Sequence, residues 1–249
     1  MSLKIMYPEA LVSVAATAEN ENFPASNMLD EHPQRVFRSL NTEDTLTCTI
    51  EGGSSGIFMF STNIETGTVT VPDGEGGTED VSIILRTQAT NYAELIQGKG
   101  ERQKSLWIDY PYQAFAHTIT ITATAAPPAK LQVGIVRAGL VNSFSDVKLG
   151  IANSFKDNSV IKDFNNGSKY VKLITIQDVV KLIFPADIDT EYYKFLFKIA
   201  KKQGQKPMPI AWGETIYQEI FGSFHGNLPD AAINNKIRGD ISMTIVEAI

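Results

Sequence analysis

A single cysteine, Cys48, stands in a chain of 249 residues, so no intrachain disulfide can form and a disulfide-stapled secreted scaffold is excluded. Its neighbours, Thr45-Leu46-Thr47-Cys48-Thr49-Ile50, alternate polar and apolar, which makes it a small buried side chain rather than a catalytic thiol. Histidine is scarce as well. His32, His117 and His225 lie far apart, and none has a second ligand-type residue at metal spacing, so no metal is expected. Positive charge is in deficit, with 22 Lys and Arg against 28 Asp and Glu and a formal net charge of -6. No basic stripe offsets it, and nucleic acid is excluded as a partner on electrostatic grounds. No window approaches the roughly 18 consecutive apolar residues of a membrane helix, and MSLKIMYPEA lacks the apolar centre of a signal peptide. The expectation is a chain made soluble in the cytoplasm, with no membrane span. Walker, Gly-x-Ser-x-Gly and Cys-His signatures are also missing. No catalytic residue and no cofactor is assigned, and the protein is expected not to be an enzyme.

What is present is a hydrophobic fraction of 43%, enough to bury real cores in two domains of ordinary size. The most informative run is Asn22 to Ser39, NFPASNMLDEHPQRVFRS, which reads as an irregular lead-in to an antiparallel β-domain. Pro24 fixes φ and pushes Phe23 toward an extended backbone, while Ser26 and Asn27 can satisfy local donors. Met28 and Leu29 form a short apolar turn, and Asp30 to Pro33 a polar one. Val36 and Phe37 then return to the core between Arg35 and Arg38, whose charged ends stay in water.

Along the chain, Leu11 to Ala16 and Thr45 to Ile50 read as strands, the second with the period-two alternation of a half-buried sheet. Gly52 to Gly56 reads as a flexible turn and not a phosphate loop, since it lacks the lysine and the following helix. Ile57 to Phe60, Thr66 to Val71 and Val81 to Leu85 continue the sheet, the last two joined by the hairpin loop Pro72 to Gly77. A basic loop at Lys99, Arg102 and Lys104 precedes an aromatic cluster. His117 to Thr122 alternates again, Pro127-Pro128 breaks it, and Leu131 to Val136 closes the domain. Short strands between turn signals give a β-sandwich or jelly roll over residues 1–138.

From Leu140 lysines become frequent, and residues 139–249 read as an α+β domain. Asn165-Asn166-Gly167 marks a tight hairpin between Asn158 to Phe164 and Tyr170 to Ile176. Val179 to Phe184 is a strand that Pro185 should end. One amphipathic helix follows, capped by Asp189 or Thr190, with Tyr192, Phe195, Leu196, Ile199 and Ala200 on one face and Gly204 placed to stop it. Pro207 to Trp212 and Ile241 to Ile249 read as strands. Glu214 to Asp240 receives no role.

The run Asn22, Pro24-Ala25-Ser26-Asn27, Met28-Leu29, Asp30 and Phe37-Arg38-Ser39 resembles the opening of galactose-binding-like, discoidin-type jelly rolls in bacteriophage virion proteins, with Phe37 where that pattern most often has Trp. The order Lys172 to Phe184, Asp189 to Lys202, Gly204, Pro207 to Trp212 and Glu247-Ala248-Ile249 is similar to the C-terminal part of the same proteins. The resemblance implies a non-enzymatic structural component of a phage tail tip or baseplate, a distal-tail or hub-associated adaptor. It would be located in the virion, with other tail proteins as partners and homo-oligomeric symmetry as its means of assembly. The alternative is a carbohydrate-binding module that contacts host surface glycans. The candidate glycan or protein interface is Trp107, Tyr110 and Tyr112, aromatic faces in a loop-rich region, weighed against plain core packing.

Overall fold

The computed structural model describes residues 2–85, 104–144, 152–157, 160–163, 169–172, 176–187, 199, 201–204, 206–213, 218–225 and 238–248. The chain forms two compact units, Ile5–Asn142 on one hand and Met1–Lys4 with Ser143–Ile249 on the other. It is mainly antiparallel β-structure.

In chain order the first unit contains β1 (Ser2–Glu9, its first residues grouped with the second unit), β2 (Leu11–Ala16), a 3₁₀ turn (Ala25–Leu29), β3 (Phe37–Arg38), β4 (Glu43–Ile50), β5 (Ser54–Phe60), β6 (Ile64–Pro72) and β7 (Thr78–Ile84). After them come β8 (Ser105–Gln113), β9 (His117–Ala125), β10 (Gln132–Val133) and β11 (Ile135–Phe144). One sheet runs β2-β4-β9-β6-β7, all antiparallel, and in the other β1, β11, β5 and β8 are neighbours in that order. Period-two alternation decides which side chains meet between them. Leu46, Cys48 and Ile50 of β4, Ile119 and Ile121 of β9, and Val69 and Val71 of β6 join Ile57 and Met59 of β5 and Val136 and Ala138 of β11 in one buried core. The unit is therefore a β-sandwich, the architecture expected of a jelly roll.

The run from Asn22 to Ser39 lies on this sandwich through buried anchors. Pro24 has φ -67° and ψ 159°, and behind it Ala25 and Met28 are buried in the 3₁₀ turn. Phe37 is fully buried and pairs with Val133 across β3 and β10. Arg35 and Arg38 stay exposed, the first bridged to Asp30 at 2.8 Å and the second stacked over the Phe23 ring at 4.7 Å. The anchor that sequence reading missed is Arg137 on β11. Only 4% exposed, it donates from Nη1 to the carbonyls of Met28 (3.0 Å) and Val136 (2.8 Å), and from Nη2 to those of Leu29 (3.2 Å) and Asp30 (2.8 Å). Glu9 faces its Nε at 3.2 Å. A planar guanidinium with five donors is the one side chain that can collect so many acceptors at once.

In the second unit β12 (Ala152–Asp157), β15 (Ile176–Asp187), β18 (Arg238–Glu247), β17 (Gln218–His225) and β16 (Met208–Gly213) follow one another across an antiparallel sheet. The expected hairpin pairs β13 (Val160–Asp163) with β14 (Lys169–Lys172) around the Asn165-Asn166-Gly167 region. The described part of the helix is its end, with Ile199 buried, Lys201 and Lys202 exposed, and Gly204 at φ +60° as the left-handed residue that stops it. Its proposed caps and the rest of its apolar face lie outside the described residues, as do Lys99, Arg102 and Asn165 to Gly167.

Some readings need correction. Strand β1 was not expected, because Lys4 and Tyr7-Pro8 obscure its alternation, yet Leu3, Ile5 and Met6 are buried. Ser54 to Gly56 belong to β5, so the turn shortens to Gly52-Gly53, with Gly53 at φ +90°. Leu131 to Val136 is not one strand: Gly134 separates β10 from β11, and a Cβ there would meet Ser61 Cβ at 2.8 Å and Pro33 O at 2.9 Å. Pro185 does not end its strand. It pairs with Asp240 within β15, and among the described residues the β12 partners reach only as far as Lys181, so no described strand lies opposite Pro185 on that side. Within Glu214 to Asp240, which had no role, residues 218–225 form β17.

Candidate functional site

The three aromatic residues singled out from the sequence lie on one strand, β8, rather than in a loop, and the strand separates them. Tyr110 is buried in the sandwich core and donates its hydroxyl to Ser54 Oγ at 2.8 Å. Trp107 points to the opposite face, where it pairs with Phe58 across β5 at a ring separation of 5.7 Å and donates its indole N–H to Asp109 Oδ1 at 2.7 Å. Only Tyr112 is turned outward, at 60% exposure. Its parity would bury it beside Tyr110, but the β5–β8 register shifts between Ser54 and Gly56, so Tyr110, Pro111 and Tyr112 bulge. Core packing thus claims Tyr110, and the expected three-residue platform does not exist.

A different pair of aromatic residues, Tyr112 and Phe115, is exposed. Phe115, in the turn after β8, is 85% exposed and stands three residues from Tyr112. A lone exposed phenylalanine is unremarkable, whereas Tyr112 near the end of β8 and Phe115 in the turn that follows put two exposed rings three residues apart in the chain. The turn is tied at several points. Gly53 N donates to Gln113 O at 2.7 Å, and Gly52 lies so close that a Cβ there would overlap the Ala114 carbonyl. The β6–β7 loop approaches from another side, since a Cβ on Gly74 (φ +85°) would be 2.9 Å from the Pro111 ring. Asp73 holds that loop by accepting from Glu75 N at 2.8 Å and Gly77 N at 2.9 Å.

Beneath the turn runs a hydrogen-bond chain. His117 Nδ1 lies 3.1 Å from Phe115 O, and because a carbonyl only accepts, Nδ1 is the donor. Nε2 is then free to accept from Ser54 Oγ at 3.4 Å, while Ser54 accepts from Tyr110. Tyr110 also meets the His117 ring edge-on at 5.7 Å. Burial pushes the Tyr110 phenol up to about 12, against the Ser54 bond, so it stays a neutral donor. The chain therefore fixes the backbone from which Phe115 projects.

Chemistry of other kinds finds little support. Burial pushes the Cys48 thiol up to about 12, the opposite of an activated nucleophile. Among the described residues no group of three or more His, Cys, Asp and Glu could hold a metal ion, and no helix is long and apolar enough to cross a membrane.

No protein family matches the chain, and neither does any curated protein. Among solved structures it is similar to a family 32 carbohydrate-binding module from C. perfringens NanJ in complex with galactose, at 14% identity over 54% of this chain and 100% of that one, with a TM-score of 0.39. It is similar to the same degree to a chain in the structure of reduced XRCC1 bound to the DNA polymerase β catalytic domain, at 14% identity over 53% and 99%, TM-score 0.39. A chitosan-binding module from a Paenibacillus sp. IK-5 chitosanase/glucanase matches at 12% identity over 53% and 98%, TM-score 0.33. Likenesses this distant carry no functional argument, and none of them points to a phage.

Proposed function

We propose that the chain is a non-catalytic binding module whose ligand is a carbohydrate, seated at the end of β8 and the turn after it, where Tyr112 and Phe115 are exposed. The observation behind this reading is the pair of exposed rings, Tyr112 near the end of β8 and Phe115 on the next turn, whose backbone is anchored from below through His117, Ser54 and Tyr110. Aromatic faces pack against the C–H faces of pyranose rings, and a pre-ordered turn loses little entropy on binding. Titrating the full chain with neutral mono- and oligosaccharides, followed by calorimetry, tests it. The double variant Tyr112→Ala, Phe115→Ala is expected to weaken binding at least tenfold with an unchanged melting temperature, since both rings are solvent-exposed. Absence of saturable binding to any sugar at millimolar concentration would sink the reading.

A second reading, a component of a symmetric assembly such as a phage tail tip, is favoured by a different observation. Both outer strands of the five-stranded sheet carry exposed aliphatic residues, Val12 on β2 at 52% and Ile84 on β7 at 64%. Strand edges of this kind add to a neighbouring sheet. This reading would place the protein in a virion with other tail proteins.

A further inference from the structure

The hydrogen-bond chain beneath the turn bearing Phe115 is directional, and both of its ends are fixed. At one end the Phe115 carbonyl can only accept, so His117 Nδ1 carries a hydrogen. At the other end Tyr110, 5% exposed and with its phenol pushed up to about 12 by burial, keeps its hydrogen and donates it to Ser54 Oγ at 2.8 Å. Ser54 is fully buried and gives its own hydrogen to His117 Nε2 at 3.4 Å. Three donors meet three acceptors, and none is left over.

A proton on His117 upsets that match. Nε2 ceases to accept and becomes a fourth donor, aimed at a hydroxyl whose hydrogen already points back at it. Ser54 can accept from Nε2 only by turning its own hydrogen toward the Tyr110 oxygen, which reverses the chain and displaces the phenol hydrogen. Among the described residues the phenol makes no other hydrogen bond, so that hydrogen ends unpaired in the core. Leaving a buried donor unpaired is costly, whereas the Ser54–His117 contact is the longest link and His117 the most exposed of the three side chains. The chain therefore parts between Ser54 and His117, and the Phe115 carbonyl loses its tie to the core.

The groups around the ring do not prevent this. Tyr110 of β8 meets it edge-on and stays neutral, and so does Cys48 of β4, whose thiol burial pushes up to about 12. From β4 the cross-strand partner of His117 is Ile50, with the exposed Glu51 next to it, and β5 presents Ser54. Strand β9 carries no other titratable group, and among the described residues no carboxylate forms an ion pair with His117.

We infer that His117 is a pH-sensitive latch on the sugar site: neutral, it holds the backbone from which Phe115 projects; protonated, it releases that backbone and the site loses affinity. The inference rests on the carbohydrate reading above for its ligand and on the hydrogen-bond chain alone for the latch. Histidine side chains change charge between about pH 5 and about pH 8, so the ligand is held near neutrality and let go in acid.

Two measurements on the full chain, each run from about pH 8 to about pH 5, test it. Backbone amide relaxation by NMR reads the order of residues 113–116 while the His117 ring signals report its protonation, and calorimetry with neutral oligosaccharides reads affinity. In acid the turn is expected to lose order in step with the ring, and affinity to fall about tenfold, the scale of one buried donor left unpaired. His117→Gln, whose amide offers a donor and an acceptor at every pH, should flatten both profiles. Ser54→Ala combined with Tyr110→Phe removes the conflict and should also flatten them, whereas a charge acting on the sugar directly through space would persist in that variant. Melting temperatures of both variants show that they fold. A turn that keeps its order while the ring protonates, a ring that stays neutral throughout, or a pH effect that survives the combined Ser54 and Tyr110 changes overturns the inference, even where sugar binds. If no sugar binds at any pH, the carbohydrate reading falls and the relaxation profile decides the latch by itself.

Discussion

Arg137 shows how much one side chain can hold in place. Its guanidinium serves three consecutive carbonyls, those of Met28, Leu29 and Asp30, in a segment that has no strand partner to satisfy them. Arg137→Ala strands those acceptors at a buried site, and the expected loss is about 3 kcal/mol, measured by urea unfolding. Arg137→Lys should recover less than half of that, because an ammonium cannot reach all of them. Two other residues contribute to the alkaline limb of stability. Tyr110 and Cys48 have folded-state pKa values raised to about 12 from 10.0 and 9.0, so their contribution is complete below the unfolded values and is lost as the pH rises toward 12. Tyr110→Phe should flatten that loss above pH 10, at a cost near neutrality of about 1 kcal/mol for the bond to Ser54. Asp30 acts at the acid end. Slight burial raises its pKa, but the His32 N–H and the Arg35 guanidinium outweigh this and hold it below 3.8, so its contribution is present above that value and lost as the pH falls through the folded one. Because Arg35 is 67% exposed, Asp30→Asn should cost well under 1 kcal/mol, and the difference from wild type should vanish once the pH has fallen through the folded-state pKa.

Strands and turns that announce themselves by alternation or by glycine were legible before any coordinates. Leu11 to Ala16 has the bounds read from sequence, β4 and β6 are longer than their expected cores by two and three residues, and Gly204 closes the helix in the left-handed conformation. Gly204→Ala should cost about 1 kcal/mol, purely from backbone conformation, since a Cβ there has nothing within 4 Å. Gly52 is a different case. Its neighbour is the Ala114 carbonyl, so Gly52→Ala must push the β4–β5 turn away from the turn bearing Phe115. Thermal unfolding should register a loss of about 1–3 kcal/mol, and sugar titration a weaker affinity although residue 52 carries no ring. Aromatic residues were misplaced because a bulge is invisible to a period-two count. Trp107 and Tyr110 fall on opposite faces by ordinary alternation, but Tyr112, which alternation would bury beside Tyr110, is turned into solvent by the register shift in β8.

At the scale of the whole molecule, the two proposed roles part company in solution. An assembly component should form a closed oligomer whose population grows with concentration, visible by native mass spectrometry and reduced by Val12→Lys or Ile84→Lys. A binding module acting alone should remain monomeric at all concentrations while retaining its sugar affinity. Composition by itself determined a good deal: one cysteine rules out disulfide stapling, a net charge of -6 speaks against polyanions, and alternation with glycine-rich turns specifies antiparallel β-structure. Those are local or additive properties, and a sequence displays them directly. Only tertiary structure decided where Arg137 finds carbonyls more than 100 residues away, which tyrosine reaches solvent, and which threonines of β4, β9 and β6 stand opposite one another. The physical reason is register. Each strand fixes which of its residues face outward, but pairing between strands distant in sequence fixes which outward residues become neighbours.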